Sequence, residues 1–131
     1  MNKLNIRIYF EDTDAQGVVY YANYLRFFER ARTEYLREVG YGQHALMEEG
    51  GIFIVRKIEM KYRKPAKLDD LITIKTKLVK LGKVSFNFVQ TAYLDDELLV
   101  QAKVSCGCLE TDKFIPMRLS NKLFKGMKSL L

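Results

Sequence analysis

The sequence predicts an α+β fold in which a curved, mostly antiparallel sheet of five strands wraps one long central helix. Apolar residues recur with a helical period from about residue 20 to residue 39, so one amphipathic helix can cover one face of a sheet. They alternate with polar residues in five other segments, one before this helix and four after it. Short turns separate the later segments, which favours hairpins and therefore antiparallel pairing.

The first strand is predicted at residues 4–10, where every second side chain is apolar and would face the core. The long helix is predicted from Tyr20 to Val39, because its aromatic and small residues return at spacings of four, three and four. Gly40 follows the last of them and suits the left-handed conformation that ends many helices. The core stripe of this helix consists of Tyr24, Phe28, Ala31 and Tyr35.

Four long strands are predicted in the second part of the chain, at residues 52–63, 72–78, 84–92 and 98–108. In the first of these, the even-numbered apolar residues from Ile52 to Tyr62 are predicted to share one face, with Phe53 and Val55 on the other. Ser120 can cap a short closing helix that carries apolar residues and lysines. This helix could pack on its own domain, which we favour, or lie on an anionic membrane. All of these elements fit one domain over residues 1–131.

Charge is distributed unevenly along the chain. The net charge is +6, but residues 1–50 carry 6 Lys and Arg against 8 Asp and Glu, whereas residues 51–131 carry 16 against 8. An anionic partner such as a polyphosphate ligand would therefore contact mainly the second part, although a solvated, lysine-rich sheet face explains the same count. A nucleic-acid-binding module would need a clustered basic stripe with exposed aromatic residues. Because no such motif occurs, we expect no nucleic acid partner.

The counts of histidine and cysteine exclude several enzyme classes. His44 is the only histidine, so the sequence supports neither a zinc site nor a Ser-His or Cys-His pair, and we expect no metal and no cofactor. Cys106 and Cys108 would lie on one face of a strand as buried apolar side chains rather than as a disulfide. No apolar run is long enough to span a bilayer and no secretory signal is recognised, so we expect a cytoplasmic protein.

The chemical signal lies between the first strand and the long helix. Glu11, Asp12 and Asp14 lie within four residues, and Gly17 and the start of the helix follow them. A helix start leaves N–H groups free and favours negative charge. A carboxylate there could attack a carbonyl or activate water while the N–H groups bind the developing oxyanion. The alternative is that these acids form a turn and cap the helix, and for Asp12 we favour such a structural role.

Many residues at fixed spacings form one long motif: Tyr9, Glu11-Asp12-Thr13-Asp14, Gly17-Val18-Val19-Tyr20, Asn23-Tyr24-Leu25, Phe28-Glu29-Arg30-Ala31-Arg32 and Glu34-Tyr35-Leu36. The motif resembles that of the hotdog-fold acyl-CoA thioesterases of the 4-hydroxybenzoyl-CoA thioesterase-like group. It is most similar to the acyl-CoA thioesterases associated with the Tol-Pal cell-envelope system. Weaker agreement continues through Tyr62-Arg63-Lys64-Pro65-Ala66 to the last strand. The resemblance implies a hotdog fold, a homodimer whose sheets join edge to edge with the active site at the interface, and pairing of dimers into a homotetramer.

The resemblance also implies roles for individual residues. Asp14 matches the catalytic carboxylate, as nucleophile or general base, and the backbone N–H of Tyr21 matches the group that polarises the thioester carbonyl. Gly17 matches the loop glycine beside the bound acyl group. Tyr9, Val18 and Tyr20 are predicted to line the site, although Tyr9 and Tyr20 could equally serve packing. From their chemistry, Arg63, Lys64 and Lys83 are predicted to bind the phosphates of CoA, although each could instead be a solvated charge. Ser85 is predicted to contact the pantetheine or phosphate end of CoA.

One position departs from the family pattern, because many Tol-Pal-associated members carry a histidine where this chain has Tyr21. The backbone N–H survives this change, whereas a phenol is a poor base at neutral pH. We therefore predict an acyl-CoA thioesterase that releases a carboxylic acid and CoA, with Asp14 carrying the chemistry. The alternative is a non-catalytic CoA-binding or cell-envelope interaction protein on the same fold. Partners from the Tol-Pal or lipid-synthesis systems, and peripheral contact with the inner membrane, fit either prediction.

Overall fold

The computed structural model describes residues 2–40 and 43–131 and confirms the α+β class. The strands are β1 (Asn2–Arg7), β2 (Gly51–Tyr62), β3 (Leu71–Leu81), β4 (Ser85–Leu94) and β5 (Glu97–Glu110). The helices are α1 (Asn23–Glu38), α2 (Gln43–Glu48) and α3 (Asn121–Lys128). The five strands form one antiparallel sheet in the order β1-β3-β4-β5-β2, and α1 buries its apolar face in the core beneath it. This is the hotdog arrangement that the resemblance implied.

The long helix begins later than predicted, at Asn23 rather than Tyr20. The preceding residues are held in a turn, because the N–H of Tyr20 and the side-chain amide of Asn23 both donate to the backbone oxygen of Asp12, at 3.0 and 2.8 Å. The first strand is likewise shorter than predicted. It ends at Arg7, and Phe10 lies in an exposed 3-10 turn instead of the core. The connection between strand and helix is therefore longer than periodicity suggested.

A β-bulge between Val55 and Lys57 makes the predicted facing of β2 wrong for the residues that precede it. Before the bulge the odd-numbered residues face the helix side, since Phe53 and Val55 pair with Cys108 and Cys106 of β5, and both cysteines are buried. The ring of Phe53 meets that of Phe86 in the core with centroids 5.2 Å apart. After the bulge the even-numbered residues face the core. An extra residue in one strand moves every following side chain to the opposite face of the sheet. The alternation of apolar and polar residues in the sequence does not show where such a bulge lies.

Two tyrosines of α1 anchor the helix to the sheet through their hydroxyl groups. The hydroxyl of Tyr35 accepts the N–H of Leu78 at 3.2 Å, where β3 bulges and the ladder with β4 skips a residue. The hydroxyl of Tyr24 accepts the N–H of Ala66 at 3.2 Å in the connection between β2 and β3. Both bonds satisfy backbone groups that are buried away from water. The helix is therefore fixed in both position and rotation relative to the sheet.

The two short helices differ in how far the sequence predicted them. The helix α2 was not predicted, because six residues are too few to show a helical period. His44 lies on α2 as an exposed side chain, with its Nε2 3.2 Å from a carboxylate oxygen of Glu48. Ser120 caps α3 as predicted, accepting the N–H of Leu123 at 3.2 Å. Leu123 and Met127 are fully buried, so this helix packs on its own domain. No helix within residues 2–40 and 43–131 is long and apolar enough to cross a membrane.

The alternation of lysines along the strands places many of them on one surface. Across the outer face of the sheet, away from α1, the register joins Lys77 of β3 to Val89, and Val89 to Lys103 of β5. Lys57 and Lys61 of β2 share this face. These side chains are mostly exposed, which fits a solvated sheet face. Part of the positive charge of the second part of the chain is therefore carried on the side of the sheet opposite the helix.

Candidate active site

The loop between β1 and α1 is built around a tight turn at Asp14. The N–H of Gly17 donates to the Asp14 carbonyl at 3.0 Å, and the N–H of Asp14 donates to the Val18 carbonyl at 2.9 Å. Gly17 has a φ of 80°, a conformation that side chains disfavour, so glycine is required here. One carboxylate oxygen of Asp14 accepts the N–H of Gln16 at 2.8 Å. The carboxylate is thus oriented by its own turn while remaining exposed.

This turn is docked against the connection between β2 and β3. Val18 forms an antiparallel bridge with Lys67, and the N–H of Val19 donates to the Ala66 carbonyl at 2.9 Å. Val19 and Ala66 are both buried, which ties the loop to the core. Backbone bonds on both sides therefore hold the Asp14 turn in place before any ligand binds.

Asp12 has the structural role that the sequence analysis favoured. One of its carboxylate oxygens accepts the N–H of Tyr9 at 2.8 Å, and its backbone oxygen accepts the two donors from Tyr20 and Asn23. These bonds join the end of β1 to the beginning of α1. Because both functions of Asp12 are internal to the loop, its carboxylate is engaged in the fold.

The start of α1 presents two consecutive N–H groups. In the described part of the chain, neither the N–H of Tyr21 nor that of Ala22 is bonded to an acceptor. The following N–H, of Asn23, is already engaged by the Tyr20 carbonyl at 2.8 Å. Free N–H groups at a helix start are suited to binding a carbonyl or carboxylate oxygen. The same loop therefore carries an oriented carboxylate and ends in two free donors.

Exposed aromatic residues surround this helix start. Tyr20 and Tyr21 are exposed, with their ring centroids 5.0 Å apart, and Tyr9 is exposed at the start of the 3-10 turn that precedes Asp14. Tyr62, the last residue of β2, packs edge-on against Tyr21 with centroids 6.0 Å apart. Tyr62 was not among the predicted site residues. The one feature of the sequence that could have indicated it is its place in the weaker stretch of the family motif, Tyr62-Arg63-Lys64-Pro65-Ala66. The aromatic cluster forms an open apolar surface beside the two donors.

The predicted CoA-contacting residues divide between two ends of the sheet. Arg63 and Lys64 follow β2 at the end nearer the Asp14 loop, and the ammonium of Lys64 pairs with Glu97 at 2.7 Å. Ser85 begins β4 at the opposite end, about 25 Å away along the strands, since it pairs with Gly107 of β5 whereas Arg63 bonds to Leu99. Lys83 lies there too, in a cleft of about 490 Å³ that Arg118 also lines. One subunit therefore does not bring these four residues together.

Neither cysteine is placed to act as a nucleophile. Burial raises the pKa of the Cys106 thiol to about 11 and also raises that of Cys108. Because the thiolate is the reactive form, both thiols should resist modification in the folded protein. Within residues 2–40 and 43–131, no group of three His, Cys, Asp or Glu side chains is placed to hold a metal ion.

We expect Cys106 to make stability fall at high pH. The folded state keeps the thiol protonated up to about pH 11, whereas the unfolded state loses that proton near pH 9, so the free energy of unfolding should decline between these values. Replacing Cys106 with alanine should remove this part of the pH dependence. Chemical denaturation at a series of pH values measures it. An identical decline in Cys106→Ala would contradict the assignment to this thiol.

Comparison with known proteins identifies the family. A sequence profile of the Thioesterase-like superfamily matches residues 8–123. The chain is 41% identical over 124 residues to an acyl-CoA thioester hydrolase, YbgC, of Escherichia coli O6:H1, covering 94% of this chain and 92% of the relative. It is 42% identical over 113 residues to the acyl-CoA thioesterase YbgC of Haemophilus influenzae, covering 86% and 83%.

A solved structure agrees with these relatives. The probable thioesterase of Bartonella henselae superimposes with a TM-score of 0.86 and is 38% identical, covering 90% of this chain and 98% of the other. Profile, sequence and fold therefore point to one group. The chain belongs to the YbgC family of acyl-CoA thioesterases, within the hotdog-fold thioesterase-like superfamily.

Proposed function

We propose that residues 1–131 form one hotdog thioesterase domain that hydrolyses the thioester of an acyl-CoA to a carboxylic acid and CoA. The observation that carries this proposal is the loop in which an oriented Asp14 carboxylate precedes the two free N–H groups of Tyr21 and Ala22. The names of the relatives, which are acyl-CoA thioesterases and a thioester hydrolase, support the same activity.

The reaction follows from the properties of these groups. The N–H of Tyr21 binds the thioester oxygen and stabilises the negative charge that develops on it. Asp14 either takes a proton from the attacking water or itself attacks the carbonyl carbon. The tetrahedral intermediate collapses, the C–S bond breaks, and CoA leaves as a thiolate. If Asp14 is the nucleophile, a second step adds water to the mixed anhydride and frees the acid. Gly17, Val18, Tyr9 and Tyr20 border the acyl group.

A homodimer explains why the site is open in one chain. The Asp14 carboxylate and the Tyr21 ring are exposed to solvent, whereas hydrolysis benefits from a site that excludes bulk water. The β2 strand is a long unpaired edge of the sheet, and such edges need a cover. Pairing of β2 with its symmetry mate would join the two sheets and cover the groove beside α1.

The same pairing accounts for the divided CoA residues. Two β2 strands related by a two-fold axis run antiparallel, so the Gly51 end of one lies beside the Tyr62 end of the other. Ser85 and Ile54 both pair with Gly107, which places Ser85 at the Gly51 end of its own sheet. Lys83 and Ser85 of one subunit would then serve the site of its partner, together with the partner's Arg63 and Lys64. Two such dimers would form the homotetramer.

The test of this function is thiol release from a panel of short-chain, long-chain and aromatic acyl-CoAs. Turnover of at least one class is expected, and the best substrate would identify the acyl group. Absence of turnover across the panel, with CoA still bound in calorimetry, would favour the non-catalytic CoA-binding or cell-envelope protein. A cytoplasmic location, contact with the inner membrane, Tol-Pal or lipid-synthesis partners and the lack of a nucleic acid partner stay predictions.

A further inference from the structure

We infer that Tyr62 is a positioning residue for the thioester carbonyl, acting through the peptide group that joins Tyr21 to Ala22. The inference rests on the proposed function, because it assumes that the substrate carbonyl is bound at the start of α1. It assigns a second donor to that site, the N–H of Ala22, in addition to the N–H of Tyr21.

The first step is the contact between Tyr62 and the helix start. The Tyr62 hydroxyl donates to the Tyr21 carbonyl oxygen at 3.2 Å, and the two rings meet edge-on. The Tyr62 ring also packs on the buried Tyr24 ring with centroids 5.9 Å apart. Tyr62 itself is fixed by the sheet, since it pairs with Val100 of β5. The end of β2 therefore holds a carbonyl that immediately precedes the helix.

The second step is the long hydrogen bond by which the helix itself contacts the same carbonyl oxygen. At the start of α1, the N–H of Tyr24 reaches the Tyr21 oxygen at 3.4 Å, which is long for a backbone hydrogen bond. The hydroxyl of Tyr62 is the closer donor. Without it, the first peptide of the helix would be held by one poor bond. The orientation of this peptide thus depends on Tyr62 as well as on the helix.

The third step is the coupling across one peptide plane. The Tyr21 carbonyl and the Ala22 N–H belong to the same planar amide, so a donor on the oxygen fixes the direction of the N–H and strengthens it as a donor. Ala22 has helical angles, φ −69° and ψ −19°. Its N–H therefore points back along the helix axis, toward the helix start where the N–H of Tyr21 is also without an acceptor in the described part of the chain. Two such donors form the usual kind of oxyanion hole.

The hydroxyl remains a donor under ordinary conditions. Burial, with a smaller contribution from the neighbouring Tyr21, raises the pKa of Tyr62 above that of a free phenol. The proton is therefore retained at neutral pH. The oxygen of this hydroxyl also lies 3.3 Å from the sulfur of Met60, a weak acceptor that does not compete with a carbonyl.

The test compares Tyr62→Phe with a matched loss of a hydroxyl elsewhere. Tyr93→Phe is the control, because Tyr93 lies on the outer face of the sheet under the ammonium of Lys75, 4.4 Å from its ring. We expect Tyr62→Phe to lower kcat about 10-fold with KM little changed, as for an interaction made mainly in the transition state. Tyr93→Phe should leave both constants at the wild-type values.

A spectroscopic measurement separates positioning from a structural role. In an Asp14→Asn background, which keeps the thioester intact, the infrared carbonyl stretch of a bound aromatic acyl-CoA reports how strongly the oxygen is polarised. Adding Tyr62→Phe should move this stretch toward the frequency in water, and adding Tyr93→Phe should not. An unmoved stretch would overturn the inference, even if Tyr62→Phe lowered the melting temperature. A wild-type protein without turnover would refute the proposed function, while the stretch still decides the role of Tyr62.

Discussion

Replacing Asp14 with asparagine is expected to lower kcat by at least about 10³-fold, with little change in the binding of CoA. An amide can neither accept a proton from water at neutral pH nor attack the thioester carbon. Asparagine keeps the side-chain oxygen that accepts the N–H of Gln16, so the turn and its docking should survive. Thiol release from the best acyl-CoA, measured on both proteins at equal folded concentration, gives the comparison.

Asp12→Asn is the matched control for this substitution. Both aspartates lie in the same loop, and both accept a backbone N–H, from Tyr9 in the case of Asp12. Because the Asp12 carboxylate serves the loop itself, its asparagine variant should keep kcat within about threefold of the wild type. Equal losses in the two variants would show that the loop, and not the Asp14 carboxylate, is what the substitutions disturb. The assignment of Asp14 would then be wrong.

Local patterns of the sequence predicted the elements that carry the site. The stripe of Tyr24, Phe28, Ala31 and Tyr35 predicted α1, since a helix buried on one face must repeat its apolar residues near 3.6. The acids and Gly17 predicted a turn before that helix, and the turn is present. These features depend on residues close together in the chain. The types and spacing of neighbouring residues are therefore enough to predict this helix and this turn.

Features that depend on distant contacts were beyond this kind of reasoning. The bulge in β2 leaves no mark on composition, yet it turns Phe53 into the core. Tyr62 reaches Tyr21 only because the fold places the end of β2 beside the start of α1, although the two residues are 41 positions apart in sequence. Lys83 and Ser85 were predicted to share one CoA-binding site with Arg63 and Lys64, but the strand register places them at the other end of the sheet. Each of these outcomes is set by tertiary pairing rather than by neighbouring residues.

Replacing Gln90 with methionine is expected to lower the free energy of unfolding by about 3 kcal/mol, the largest effect on stability that we predict. Gln90 is fully buried on β4, where its amide oxygen accepts from the guanidinium of Arg32 at 2.9 Å. Its amide nitrogen donates to the Phe28 carbonyl and the Thr76 hydroxyl, both at 3.0 Å. Methionine fills similar space but, among the described residues, leaves the nearly buried guanidinium with only its bond to the half-exposed Glu29.

The double variant Gln90→Met with Arg32→Met tests whether the loss of stability comes from the buried guanidinium that has lost its hydrogen bond to Gln90. Because the second change removes the guanidinium as well, the two effects should not add, and the double variant should be about 2 kcal/mol more stable than their sum. Urea denaturation of the four proteins closes the cycle. Additive losses would mean that Gln90 acts independently of the Arg32 charge, through packing or through its bonds to Phe28 and Thr76. The network joins the middle of α1 to β4 and lies about two helical turns from Tyr21, so the folded double variant should retain wild-type turnover.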